Sequence, residues 1–236
     1  MPSQSNLLST SVGTVLRPVK FSRGRLLWVS LPALALLLGG AAILWLTGNN
    51  PPFQGVDDAW YRTMLASRTP WLTDVNRVLN FVGNSGMVIY CSAVFLVLLR
   101  RHRRIALFLA TANLAALGLT HLIKFLVARP RPEDRLVAVD SGSYPSGHVS
   151  GTVTAMLVTA LILGRLWMWV SGSILSAAMI YSRTYLGAHW ISDTIAGALL
   201  GIGLTLLIWT AFYTSRRRIT NGRQTRNAHS LDPKNS

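Results

Sequence analysis

The chain has 236 residues, half of them hydrophobic, with a formal net charge of +15 but only 13% charged residues. A soluble domain carries about twice that charged share. With a positive mean hydropathy of +0.38, this excludes an ordinary soluble domain and places the chain among integral membrane proteins. One cysteine, Cys91, excludes an internal disulfide and a cysteine-based zinc site.

Six apolar stretches follow one another along the chain: Leu26–Thr47, Phe81–Leu99, Ile105–Val127, His148–Gly164, Leu166–Leu186 and Trp190–Tyr213. Each is near the ~17–25 residues that cross a bilayer as a helix, and lipid forces the helix because it cannot satisfy exposed backbone groups. The first is too long and lacks the small-residue cleavage site of a signal peptide, so it reads as a retained anchor. Between the first two, residues 48–80 read as a connection with an amphipathic piece, in which Trp60, Tyr61, Met64, Leu65 and Trp71 suit an interfacial helix. The expected organisation is a basic tail at 1–25, a six-helix membrane domain at 26–213 and a basic disordered tail at 214–236.

The net charge could suggest nucleic acid, but its placement argues against it: basic residues cluster at the ends of apolar stretches. Arg17, Lys20, Arg23 and Arg25 precede the first stretch; Arg100, Arg101, Arg103 and Arg104 follow the second; Arg165 follows the fourth. Arg216, Arg217, Arg218, Arg223, Arg226 and Lys234 follow the sixth, with Asp232 as that tail's only acid. The alternate connections balance their charges: Arg62, Arg68 and Arg77 against Asp57, Asp58 and Asp74, then Arg129, Arg131 and Arg135 against Glu133, Asp134 and Asp140. The positive-inside rule therefore puts both termini in the cytoplasm and residues 128–147 outside it. The expected partners are membrane lipids, and no nucleic acid.

Three charges lie within or at the edge of apolar stretches: Lys124, Arg183 and Asp193. Each is costly in lipid and should face protein or water, although Lys124 alone could snorkel to the interface. With the topology above, Lys124, Arg131, His148, Arg183, His189 and Asp193 all fall at the outer ends of the third to sixth helices. Lysine and arginine together suit phosphate oxygens. "SYPSGH" sets Ser146 and Gly147 where the fourth helix begins, and free N–H groups plus the helix dipole favour an anion there. His189 and Asp193 are four apart, so the carboxylate can hold one imidazole nitrogen and leave the other as a nucleophile. His148, on another helix, can serve as general acid.

The spacing resembles a known family. "KFLVARPRP" gives Lys124, six residues, then Arg131-Pro132; "PSGH" is Pro145–His148; "SRTYLGAHWISD" gives Ser182-Arg183, then His189 and Asp193. These are similar to the three signature motifs of the type 2 phosphatidic acid phosphatase (PAP2) superfamily, in its bacterial membrane lipid phosphatase branch. The resemblance implies an all-α bundle with its active site at the extracytoplasmic ends of helices three to six. It implies that Lys124, Arg131, Ser146, Gly147 and Arg183 bind phosphate, that His189 attacks phosphorus, that Asp193 orients His189, and that His148 protonates the leaving group, without metal or cofactor. The expected protein is a multi-pass enzyme of the plasma (inner) membrane that hydrolyses a lipid phosphate or diphosphate through a phosphohistidine. Undecaprenyl or another polyprenyl diphosphate is the first substrate expectation. Phosphatidylglycerophosphate and phosphatidic acid are alternatives, as are a lipid phosphotransferase and a non-catalytic lipid-phosphate binding or transport protein.

"GALLG", Gly197–Gly201, fits close helix packing within the chain rather than dimerisation.

Overall fold

The computed structural model describes residues 16–139 and 141–229, of which 213–229 are described as backbone helix only. The N-terminal residues 1–15 and the final 230–236 of the two expected tails lie outside the described residues. No strand occurs among the described residues. The helices are α1 (Arg23–Leu46), α2 (Gln54–Ala66), α3 (Pro70–Phe81), α4 (Met87–Arg101), α5 (Arg103–Val127), α6 (Gly147–Leu163), α7 (Leu166–Tyr185) and α8 (Ile191–His229).

Local chemistry sets several of these boundaries. Ser22 caps α1 by accepting from the Arg25 N–H at 3.3 Å. Pro70 opens α3 at a position where its missing N–H costs nothing. α5 closes on Ala128 in the left-handed region (φ 47°), and Pro130 then keeps Arg129 out of helical conformation. α6 closes on Gly164 (φ 59°), a left-handed position that glycine occupies without strain.

Four spans, Arg23–Leu46, Pro70–Arg101, Arg103–Val127 and Ile191–Phe212, are long and apolar enough to cross a membrane, and Gly147–Leu163 is apolar but shorter. The second span departs from expectation. It begins at Pro70 rather than Phe81, because a π-helical turn, Val82–Gly86, joins α3 to α4 without a break. The segment read as one connection with an interfacial piece thus holds α2 and the start of a span. At the other end, α8 continues as backbone helix to His229, where a disordered tail was expected. Its arginines and glutamine are good helix formers, and a long helix already nucleated needs little to extend.

α6 is the central helix, packed against α5, α7 and α8, while α1 lies against α8, α4 against α5 and α3 against α7. Its surface is buried nearly all round, from Val149 to Ile162, which is how an apolar helix with almost no amphipathic bias is accommodated. Between helices in lipid, close packing replaces the hydrophobic drive, and small residues permit it. Gly197 and Gly201 supply that contact within the chain. A Cβ on Gly197 would stand 2.6 Å from the Ser146 carbonyl, and one on Gly201 would stand 2.8 Å from Val153 Cγ1. The stripe therefore brings α8 against the first turns of α6, and the Ser146 N–H donates to the Asp193 carbonyl at 2.9 Å.

Gly197→Ala is expected to destabilise the protein by about 1–3 kcal/mol through overpacking, read as a fall in thermal midpoint in detergent. Gly39→Ala, whose Cβ would meet nothing within 4 Å, should leave the midpoint unchanged or slightly raised. Equal midpoints for the two variants would contradict the packing role.

Candidate active site

One end of the bundle collects every residue singled out for phosphate chemistry. Lys124 lies in the last turn of α5 and Arg131 in the loop after it; Ser146 is the N-cap of α6, with Gly147 and His148 its first residues. Arg183 lies in the last turn of α7 and Asp193 in the first turn of α8. His189 occupies the turn between α7 and α8, just before α8 begins.

Lys124 does not snorkel. It is buried, and its Nζ donates to the Gly142 carbonyl and, at 3.5 Å, to that of Ser143. Gly142 has no room for a side chain, since a Cβ would lie 2.8 Å from the Lys124 carbonyl. Arg131 is held by three carbonyls: Ser141 at 2.8 Å, Gly142 at 3.1 Å and Ala188. These bonds fold residues 128–146 back over the helix ends. His121, three residues before Lys124, is exposed.

His189 is buried, and its two ring nitrogens face different chemistry. Nε2 lies 3.3 Å from the Arg131 guanidinium. A guanidinium can only donate, so Nε2 carries the lone pair and Nδ1 the proton. Nδ1 faces Ser143 Oγ at 3.5 Å and Asp193 Oδ2 at 3.7 Å. The direct His189–Asp193 hydrogen bond expected from the spacing is therefore loosened: α8 starts at Ile191, so His189 is not on its helical face. Ser143, which sequence reading missed, reaches both groups and donates to Asp193 Oδ2. Burial, then the charges of Arg131, Arg183 and Lys124, push His189 well below the usual histidine range. Its ring is neutral at pH 7, as a nucleophile requires.

Asp193 is fully buried. Oδ2 accepts from Ser143 and from the Trp190 N–H at 2.9 Å, and Oδ1 accepts from Arg129 at 2.6 Å. Arg129 was not anticipated, although it lies two residues before Arg131 in the same motif.

Asn80, also missed, anchors two residues of the cluster. Its side-chain oxygen accepts from Arg183, and its backbone hydrogen-bonds His148. It stands just before the π-helical turn, a distortion that recurs at functional sites. In that turn Gly83 lets His148 approach: a Cβ there would lie 3.1 Å from the His148 ring and 2.6 Å from Met179 Cε.

Ser146 stands at the N-cap, yet its hydroxyl makes no capping bond. Ser146 Oγ, His148 Nε2 and Arg183 Nε are all buried polar atoms without a hydrogen-bond partner. Such groups are rare in proteins and call for an explanation. Here all three belong to one cluster of cations and helix N–H groups, the chemistry that receives an anion. A Cβ on Gly147 would make only an ordinary 3.5 Å contact with Thr120, so packing does not demand glycine there. Among the described residues, no group of three or more His, Cys, Asp or Glu is arranged to hold a metal.

The chain matches the PAP2 superfamily over residues 105–217, a range that contains all the residues above except Asn80 and Gly83. It is 34% identical over 119 residues to an undecaprenyl-diphosphatase of Sulfolobus acidocaldarius, covering 48% of this chain and 57% of the relative. It is 34% identical over 110 residues to a decaprenylphosphoryl-5-phosphoribose phosphatase of Mycobacterium tuberculosis, covering 44% of this chain and 60% of that one. The chain thus spans less than two thirds of these curated relatives. The crystal structure of a transmembrane PAP2 type phosphatidylglycerolphosphate phosphatase from Bacillus subtilis superposes with a TM-score of 0.63 at 23% identity, covering 75% of this chain and 93% of that one. The fold is that of a membrane PAP2 protein.

Asn80→Ala is expected to weaken binding of inorganic phosphate or orthovanadate about tenfold, the scale of one hydrogen bond to a charged group, measured as ligand-induced thermal stabilisation in detergent. Undiminished stabilisation would show that Asn80 does not organise the cluster.

Proposed function

We propose that this chain is a six-span membrane phosphatase that hydrolyses a lipid phosphate or diphosphate through a phosphohistidine, without a metal ion. The carrying observation is the neutral, buried His189, whose Nε2 lone pair faces Arg131 and whose Nδ1 faces Ser143 and Asp193. A lone pair so held, beside Lys124, Arg131, Arg183 and the N-terminus of α6, is placed to meet a phosphorus atom.

In the proposed reaction the phosphate oxygens take donors from Lys124, Arg131, Arg183, Ser146 and the Gly147 N–H. Arg131 turns its donor from Nε2 to a phosphate oxygen and frees the lone pair. Nε2 attacks phosphorus, and the bond from phosphorus to the leaving oxygen breaks. Nδ1–H then carries the developing positive charge toward Ser143 and Asp193. His148 protonates the leaving oxygen from Nε2, its other nitrogen being tied to the Asn80 backbone; the bound anion favours the proton it needs. Water then attacks the phosphohistidine, His148 takes the water's proton, and inorganic phosphate leaves with His189 restored. Buried cations fixed in advance supply the charge stabilisation that a metal supplies elsewhere.

The charge pattern supports cytoplasmic termini and an extracytoplasmic site in a plasma membrane, since the basic connections lie at the opposite end of the bundle from Lys124, Arg183 and Asp193. A site at helix ends suits an amphiphile, with its head group among the cations and its tail in lipid. A polyprenyl diphosphate such as undecaprenyl diphosphate is the first substrate, because the two curated relatives described above carry prenyl-linked phosphates in their names. Phosphatidylglycerophosphate, which the Bacillus subtilis structure's name carries, is the second, with phosphatidic acid after it.

Detergent-purified protein should release phosphate from undecaprenyl diphosphate with EDTA present, and faster than from phosphatidylglycerophosphate or phosphatidic acid. His189→Ala should lose at least about 10³-fold in kcat, and His148→Ala about 10²–10⁴-fold. Transfer to an added lipid acceptor in place of release would make the chain a phosphotransferase. Folded protein that binds these lipids without turning them over would make it a binding or transport protein.

A further inference from the structure

We infer that Arg129 and Asp57 form a positioning relay behind the His189–Asp193 pair, with α2 carrying its outer carboxylate; this rests on the phosphatase reading above.

The relay is continuous and buried. Arg129 and Asp57 are 2% and 1% exposed, and Asp193 is fully enclosed. Arg129 Nη1 donates to Asp193 Oδ1 at 2.6 Å and to Ser192 Oγ at 2.8 Å; Nη2 donates to Asp57 Oδ2 and Gln54 Oε1, both at 2.8 Å. Asp57 in turn accepts from the Ser192 N–H at 2.9 Å and from its hydroxyl at 2.7 Å. The Arg129 guanidinium carbon also lies over the Phe53 and Trp190 rings, 5.9 and 5.5 Å from their centroids. Its orientation is fixed by these hydrogen bonds along its edges, with the two rings packed beside it.

The geometry distinguishes a positioning role from a simple brace. An ion pair that merely fastened α2 to the bundle would need only Arg129 and Asp57. This one continues to Asp193 and takes the oxygen that His189 does not face. With Oδ1 held by Arg129, and Oδ2 by Ser143 and the Trp190 N–H, the carboxylate cannot rotate. Asp57 also matters for charge. An unshared guanidinium at 2.6 Å would neutralise Asp193 and blunt its hold on a positive His189. Sharing Arg129 between two carboxylates leaves net negative charge behind the imidazole when it is phosphorylated. A buried pair broken on one side is also costly, so the two residues should act as a unit.

The test compares Arg129→Lys, Arg129→Gln, Asp57→Asn and the double variant Asp57→Asn/Arg129→Gln with the wild type. Arg129→Gln and Asp57→Asn should each lower kcat about 10- to 100-fold, the usual scale for a partner that orients an active group. KM and inhibition by orthovanadate should stay within about threefold, because the phosphate-facing cations are untouched. Arg129→Lys should recover part of the loss. The double variant should be less impaired than the two losses multiplied, and Arg129→Gln should add little to Asp193→Asn. Losses that multiply with Asp193→Asn, or orthovanadate affinity that falls in step with kcat, would overturn the relay. A second measurement needs no turnover: nitrogen NMR of ¹⁵N-histidine-labelled protein, with His189 assigned by His189→Gln. The wild type should show the Nδ1–H tautomer, and Arg129→Gln should disturb it; an unchanged His189 signal would overturn the relay even if the wild type released no phosphate from any lipid. Wild-type inactivity with a disturbed signal would sink the phosphatase reading alone.

Discussion

Asp193 is a carboxylate with no access to water, and much of this end of the bundle follows from satisfying it. A buried charge without partners would cost far more than the fold could bear. Asp193 therefore takes donors from three directions: Arg129, Ser143 and the Trp190 backbone. Each donor commits a different piece of chain. Arg129 fixes the exit from α5, Ser143 the return of the long loop, and Trp190 the entry to α8. The close glycine contact between α8 and α6 then holds the N-cap of α6 against the same residue. His189 is placed by this framework, rather than by its own helix, which begins only at Ile191.

The same framework explains why cations can be concentrated on the other side. Lys124 and Arg131 are aimed by loop carbonyls and Arg183 by Asn80. Carbonyl and amide oxygens orient a cation without cancelling its charge, as a carboxylate would. Among the described contacts, Asp193 and Asp57 lie behind the histidine, and these neutral acceptors lie in front of it. Lys124, Arg131 and Arg183 are thus fixed in place beside the N-terminus of α6.

Much of this was legible in the sequence, because it depends on local spacing. Apolar runs separated by basic clusters outlined the helices, and the Lys124–Arg131, Pro145–His148 and Arg183–Asp193 spacings named the residues that converge. What escaped reading has a common physical character. Asp57 lies in a charge-balanced amphipathic segment, where any one acid resembles a solvated one, and its partner is 72 residues away. Asn80 lies ahead of a π-helical turn that apolar periodicity does not register, so the span's start was placed after it. Ser143 is one of several small polar residues in a loop, and only the backward fold of that loop gives it a role. Arg129 carried one available signal: an arginine two residues from Arg131 in "ARPRP", separated from it by a proline, need not serve the same partner.

That division between Arg129 and Arg131 has an electrostatic consequence for the whole site. Both arginines leave the same loop, yet one is committed to Asp57 and Asp193 and the other to carbonyls and His189. In the proposed reaction, an Arg129 that faced the front would hold the anion more tightly in the ground state while leaving the imidazole unsupported as it becomes positive. Placing one cation behind His189 in that proposed reaction gives up some ground-state attraction for charge arranged to suit the reaction, and only interactions that strengthen in the transition state raise the rate of the chemical step.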